Sequence, residues 1–169
     1  MNNISLGNSA SVVRVTMNDK NHVKHVLEMG PDGIIFPMIN TAQEAEEAVR
    51  SCLYPPIGNR GFGPLRAIKY GFRTTEDYVT HLRDDLSIFV QLETVEAIKN
   101  LPEIVKNPYI DAYIFGLFDL SASVGELGNI FGEKTMAALR EGIKVLGQGE
   151  LFKPYCRKAE RAMAEKLRW

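Results

Sequence analysis

The sequence predicts an α/β protein built on a parallel β-sheet. Short runs of β-branched and aliphatic residues alternate with amphipathic segments, which is the pattern of strands joined by helical crossovers. The 169 residues include 45% hydrophobic and 24% charged side chains, as in an ordinary globular domain. This length favours one domain. We place that domain at residues 1–146 and expect a basic helical tail at 147–169.

Four apolar runs are predicted to form the strands of the sheet. They are bounded by glycine, proline or acidic residues, which interrupt regular structure or cap the next helix. The predicted strands are Val12–Val15, Gly33–Phe36, Leu86–Leu92 and Asp111–Phe115.

Helix-capping residues follow the first three predicted strands. Asn18 or Asp19 can cap a helix after the first strand, and Thr94 can cap one after the third. Thr41 and Glu44 have the spacing of a capping box after the second strand. Two further helices are predicted at Thr75–Arg83 and Lys134–Leu146.

A long connection rich in glycine and proline interrupts this regular pattern at residues 52–72. Connections of this length inside a compact domain are usually functional. The loop carries three cations, Arg60, Arg66 and Lys69, and the sequence leaves open whether they meet an anionic substrate, a neighbouring subunit or only solvent.

The near balance of charge makes nucleic acid a poor partner for this chain. It has 20 basic and 21 acidic side chains and a net charge of −1, whereas nucleic-acid-binding domains are strongly basic. The first ten residues lack the apolar core of a signal peptide, and no apolar run approaches the ~20 residues that span a bilayer. Two distant cysteines predict no disulfide framework. We therefore expect a cytoplasmic protein with no membrane partner.

Three polar side chains stand at or just after the ends of predicted strands. Arg14 lies at the end of the first strand, Glu93 follows the third, and Asp119 follows the fourth. Functional groups cluster at the carboxyl ends of parallel strands, so these side chains should converge on one rim. Two carboxylates can bind a hard divalent cation, and a guanidinium can bind a substrate carboxylate through a bidentate fork. The alternative is structural, because Glu93 and Asp119 could each cap the helix that follows.

The three histidines are weaker candidates for metal ligands. His22 and His25 are three residues apart on a predicted helix, and His81 lies alone on another. Because no third ligand accompanies them, we expect surface or core roles for all three.

Four motifs, taken in order, give the chain a family resemblance. They resemble the HpcH/HpaI aldolase family of metal-dependent pyruvate aldolases over about residues 11–127. The motifs are Val12-Val13-Arg14, Tyr54-Pro55-Pro56-x-Gly58-x-Arg60-Gly61, Gln91-Leu92-Glu93-Thr94, and the run from Gly116-Leu117-Phe118-Asp119 to Ser123.

The resemblance implies a partial (β/α)8 TIM barrel of the phosphoenolpyruvate/pyruvate type, with about four or five βα units in this chain. It implies that Glu93 and Asp119 bind Mg²⁺ or Mn²⁺, with Co²⁺ as a further option. It implies that Arg14 is a catalytic residue, and that Arg14, Gly116, Phe118 and Asp119 hold a small-molecule 2-oxo acid. A homo-oligomer is also implied.

The implied reaction is cleavage of a 4-hydroxy-2-oxo acid to pyruvate and an aldehyde. Two other interpretations stay open, an acyl-CoA lyase similar to the citrate lyase β chain and an inactive metal-binding remnant. The family carries a histidine in an Asp-x-Glu-His segment upstream of the residues matched here, and residues 1–10 contain no such segment. We therefore expect little or no aldolase activity from the 169-residue chain alone.

Overall fold

A four-stranded parallel sheet forms the centre of the computed structural model, which describes residues 9–147. The predicted tail therefore lies outside the described residues, apart from Gly147. The strand order is β1-β2-β3-β4, and every neighbouring pair is parallel. The strands are β1 Val12–Arg14, β2 Gly33–Phe36, β3 Ser87–Leu92 and β4 Ala112–Phe115. This confirms the predicted α/β class and all four predicted strands to within a residue.

Within residues 9–147, six α-helices connect or follow the strands. The sequence located five of them and left α5 without bounds. The helices are α1 Lys20–Glu28, α2 Ala42–Cys52, α3 Thr75–Asp85, α4 Val95–Ile104, α5 Leu117–Ser123 and α6 Glu133–Gly147. The long connection between α2 and α3 contains one 3-10 turn at Lys69–Gly71.

Side-chain caps fix the starts of α1, α2 and α4, which leave the carboxyl edge of the sheet. Asp19, rather than Asn18, caps α1 by accepting hydrogen bonds from the N–H groups of Asn21 and His22. The predicted capping box of α2 is present between Thr41 and Glu44. Thr94 caps α4 by accepting a 3.0 Å hydrogen bond from the N–H of Ala97. These caps satisfy helix N–H groups that have no partner within the helix.

The two central strands supply the middle of the hydrophobic core. Ile34, Phe36, Ile88, Val90 and Leu92 are all fully buried. These residues alternate along β2 and β3, so their side chains point to one face of the sheet, which the helices cover. The apolar faces of α1, α2 and α4 complete the covering through Val23, Leu27, Ala45, Ala48, Val49, Ala97 and Leu101.

Parallel pairing decides where the polar strand-end residues lie. Arg14 pairs with Ile35, Phe36 with Val90, and Leu92 with Phe115, so the carboxyl ends of all four strands share one edge. Arg14, Glu93 and the start of α5 therefore occupy the same rim. Within residues 9–147, no helix is long and apolar enough to cross a membrane.

Candidate metal centre

Glu93 is a buried carboxylate at the carboxyl end of β3, with 2% of its surface exposed. Its Oε1 accepts a 2.9 Å hydrogen bond from the backbone N–H of Met38, at the end of β2. Its Oε2 accepts a 2.7 Å hydrogen bond from the side-chain amide of Gln91. Gln91 lies in β3 and Met38 follows β2 by two residues, so two neighbouring strands together fix the orientation of this carboxylate.

Asp119 lies in the first turn of α5 and is exposed. The structure rules out the capping role that its position allowed, because the N-cap of α5 is Gly116. Glu93 is not a cap either, since Thr94 occupies that position in α4. Neither carboxylate therefore has the helix-capping role that the sequence had left open.

The electrostatics of Glu93 place Asp119 and Arg14 beside it. Burial raises the pKa of Glu93, because a charged carboxylate loses hydration in the protein interior. A hydrogen bond with Asp119 and the negative charge of Asp119 raise this pKa further, whereas the Met38 N–H and the Arg14 charge lower it. The three predicted residues therefore lie at one rim, where Glu93 is buried and Arg14 and Asp119 are exposed.

Gly116 leaves the space that the Glu93 side chain occupies. A Cβ atom added at Gly116 would overlap Oε2 of Glu93 and lie 2.9 Å from Nε2 of Gln91. No larger residue fits there unless the carboxylate moves. Gly116 was predicted as a substrate contact, and its steric role was not foreseen.

Gln91 was missed as a member of the site. Side chains two apart on a strand point to the same face, so Gln91 and Glu93 were bound to be neighbours. A polar residue in the otherwise apolar run from Ile88 to Leu92 was the available signal. The structure adds that Gln91 is buried and donates to the carboxylate.

The donor set fits a hard divalent cation that keeps part of its hydration shell. Mg²⁺ typically binds through one or two carboxylates and completes its octahedral shell with water and substrate oxygens. Glu93 and Asp119 offer two such carboxylates, and a cation between them would offset their mutual repulsion. Among residues 9–147 there is no group of three or more histidine, cysteine, aspartate or glutamate side chains suited to a metal. A closed site made only of protein ligands is thus not formed by the described residues.

The histidines and the cationic loop lie in other surroundings. His22 approaches the hydroxyl of Thr16 at 3.4 Å, and His81 hydrogen-bonds the backbone carbonyl of Asp77. Arg60 is not a solvated loop charge, because it is 2% exposed and its guanidinium lies 4.9 Å from the centre of the Tyr54 ring. It lines a cavity with Asp32 and Leu86, which precede β2 and β3, and therefore lies toward the opposite edge of the sheet.

Comparison with known proteins identifies the family. The sequence profile of the HpcH/HpaI aldolase/citrate lyase family matches residues 2–147. The chain belongs to this family. This match confirms the resemblance that the four sequence motifs indicated. The matched residues include Arg14, Glu93 and all of α5.

Relatives within the HpcH/HpaI family are aldolases by name. A 4-hydroxy-2-oxo-heptane-1,7-dioate aldolase of Escherichia coli is 38% identical over 135 residues, which are 80% of this chain and 52% of that protein. The enzyme of the same name from Klebsiella pneumoniae is 37% identical over 83% of this chain and 53% of its own length. The chain thus spans about half the length of the curated relatives it matches.

Solved structures of the family share the fold. An HpcH/HpaI aldolase/citrate lyase family protein from Burkholderia cenocepacia has a TM-score of 0.76 at 30% identity, over 83% of this chain and 56% of that one. An HpcH/HpaI aldolase from Desulfitobacterium hafniense has a TM-score of 0.77 at 27% identity, over 86% and 57%. These structures confirm the predicted partial TIM barrel, of which the described residues supply four parallel strands.

Proposed function

We propose that this chain carries the metal-binding and enolate-stabilising part of a class II aldolase. The substrate would be a 4-hydroxy-2-oxo acid, and the products would be pyruvate and an aldehyde. The observation that supports this most strongly is the buried Glu93 carboxylate, held by two donors and placed next to Asp119 and Arg14. The names of the aldolase relatives support the same reaction class.

In the proposed reaction, a base takes the proton of the 4-hydroxyl and the C3–C4 bond breaks, so that C4 leaves as the carbonyl carbon of the aldehyde. The bonding electrons pass into the 2-oxo group as an enolate, which then takes a proton at C3 to become pyruvate. A divalent cation held by Glu93 and Asp119 would supply Lewis acidity to the 2-oxo group. We propose Mg²⁺ or Mn²⁺ for this role, with Co²⁺ as a further option.

The chain's own residues have separate tasks in this scheme. Glu93 and Asp119 would hold the divalent cation, while Gln91 and the Met38 N–H keep Glu93 in one orientation. Arg14, exposed at the same rim, would bind the substrate carboxylate and stabilise the developing negative charge. Gly116 leaves room for Glu93, and the N–H groups of Phe118 and Asp119 face no acceptor within their own helix turn. These N–H groups would hold the second carboxylate oxygen.

Turnover of the purified 169-residue chain tests the proposed function. With Mn²⁺ and a 4-hydroxy-2-oxo acid, we expect pyruvate release that depends on Mn²⁺ and disappears in Glu93→Gln. The rate should be on the order of 10²–10⁴-fold below that of a complete relative, which is the usual contribution of one positioned base. Within residues 9–147, no histidine lies at a strand end beside Glu93 to act as that base. Pyruvate release that is the same with and without Mn²⁺, or in Glu93→Gln, would contradict the proposal.

Arg14→Lys tests the contact with the 2-oxo acid. Lysine keeps the charge but loses the planar fork, so affinity for pyruvate or oxalate in the presence of Mn²⁺ should fall about tenfold, or about 1.4 kcal/mol. Calorimetry measures this affinity, and thermal unfolding should be nearly unchanged because Arg14 is exposed. Arg50→Lys, an exposed arginine at the end of α2, is the matched control. Equal oxalate affinity in wild type and Arg14→Lys would assign Arg14 another role.

The second candidate is an acyl-CoA lyase of the citrate lyase type, which the family name also includes. Binding of a coenzyme A ester to the chain, with no binding of oxalate or pyruvate, would favour that candidate.

Self-association of the chain is also proposed, because β1 and β4 are each paired on one side only within the described residues and Val12 is 47% exposed. Sedimentation as a function of concentration measures this association.

A further inference from the structure

The backbone at Met38 has an unusual conformation for a residue with a side chain. Its φ is +54°, in the left-handed region that favours glycine. Residues with side chains keep such conformations only where the surroundings impose them, at a cost of about 1–3 kcal/mol. The N–H of this same residue donates to Oε1 of Glu93. The unusual backbone therefore coincides with the main-chain contact that holds the proposed metal ligand.

Asn40, two residues later, is the hub that holds this turn. Its side-chain amide donates a 3.1 Å hydrogen bond to the carbonyl of Met38. Its Oδ1 accepts a hydrogen bond from the hydroxyl of Thr94, the residue after Glu93. Its backbone carbonyl accepts a 2.8 Å hydrogen bond from the side chain of Asn100, and its N–H donates to Glu44 at 2.7 Å.

These contacts join the turn to two rigid elements. Glu44 belongs to the capping box of α2. Thr94 is the N-cap of α4, and Asn100 lies within α4. Both helices pack against the core, so they give Asn40 a fixed frame. The side chain of Asn40 connects the Met38 carbonyl directly to the cap of the helix that follows Glu93.

We propose that Asn40 is a positioning residue: it holds the carbonyl of Met38, and with it the backbone conformation in which the N–H of Met38 points at Glu93. This inference rests on the proposed function, because it takes Glu93 to be a metal ligand. Asn40 acts on the carboxylate through the backbone of Met38 and the hydroxyl of Thr94. Glu93 therefore stays in one orientation instead of sampling several.

Asn40→Ala tests the inference through Mn²⁺ affinity, measured by calorimetry without substrate. Groups that orient a metal ligand typically contribute 10- to 100-fold in affinity, and we expect a loss of about tenfold here. Asn107→Ala is the matched control, because Asn107 lies in the loop after α4 and its side-chain amide also donates a hydrogen bond to another element, at Glu46 on α2. That variant should bind Mn²⁺ as the wild type does. Wild-type affinity in Asn40→Ala would overturn the inference.

Met38→Gly in the Asn40→Ala background supplies a rescue that a merely structural role would not produce. Glycine adopts the positive φ without the steric cost, so the double variant should recover several-fold of the lost Mn²⁺ affinity. If the affinity stays at the level of Asn40→Ala, Asn40 does not act through the Met38 backbone and the inference fails.

Hydrogen exchange of the Met38 amide, followed by NMR without metal, separates this inference from the metal site itself. We expect exchange about tenfold faster in Asn40→Ala than in wild type, because loss of the brace opens the hydrogen bond to Glu93. Unchanged exchange would overturn the inference. If exchange is faster in Asn40→Ala but the wild-type chain binds no Mn²⁺, Asn40 positions Glu93 as inferred and the proposed metal centre is wrong.

Discussion

Mn²⁺ affinity is expected to fall on the order of a hundredfold, about 2.8 kcal/mol, in Glu93→Gln and in Asp119→Asn. Each substitution keeps the side-chain shape and removes the anionic charge that a hard cation requires. The effect should be large because these two carboxylates are the proposed ligands, and residues 9–147 contain no group of three or more histidine, cysteine, aspartate or glutamate side chains that could hold the ion instead. Calorimetric titration with Mn²⁺ measures it directly.

The control for this experiment is Glu96→Gln. Glu96 is an exposed carboxylate in the first turn of α4, three residues from Glu93. Its neutralisation changes the net charge by the same amount without touching the candidate site, so Mn²⁺ affinity should be unchanged. If Glu93→Gln and Asp119→Asn both bind Mn²⁺ as tightly as the control does, the metal centre has been assigned to the wrong residues.

Gly116→Ala should disrupt the same site without removing any charge. The added methyl group would overlap Oε2 of Glu93 and approach Nε2 of Gln91 to 2.9 Å, so both side chains must shift. We expect Mn²⁺ affinity to fall on the order of a hundredfold. The free energy of unfolding should fall by about 1–3 kcal/mol, as for other overpacked interiors. Calorimetry and denaturant unfolding measure the two effects.

Gly63→Ala controls for the general cost of replacing a glycine. The nearest atom to a Cβ at Gly63 is Oε1 of Glu28 at 3.9 Å, which is ordinary van der Waals contact. That variant should fold and bind Mn²⁺ like the wild type. Wild-type Mn²⁺ affinity in Gly116→Ala would show that Glu93 can leave its observed position without loss, so the orientation seen here would not be required for binding.

Much of the fold could be predicted because its signals are local. The caps Asp19, Thr41 and Thr94 satisfy N–H groups only a few residues away, so the sequence contains both partners. The helix α5 was harder to bound, because its N-cap Gly116 makes no side-chain hydrogen bond. Gly116 leaves space for the side chain of Glu93, which follows a different strand. It therefore gives no local capping signal.

The candidate site was predicted only in part for a related reason. Arg14, Glu93 and Asp119 could be named because strand ends in a parallel sheet share an edge. The residues that orient Glu93 are far away in sequence, since Met38 is 55 positions from Glu93 and Asn40 is 54 from Thr94. No spacing rule connects such residues. Their contacts depend on the pairing register of β2 with β3.

The sequence by itself determined the alternation of strands and helices, the helix starts, and the presence of two acids and an arginine at strand ends. These features follow from hydrophobic periodicity and from hydrogen bonds between near neighbours. Only the tertiary structure decided that Glu93 is buried while Asp119 is exposed, and that Gly116, Gln91 and the Met38 N–H surround the buried carboxylate. Burial and orientation are properties of how separate strands pack together, and packing is set by the whole fold.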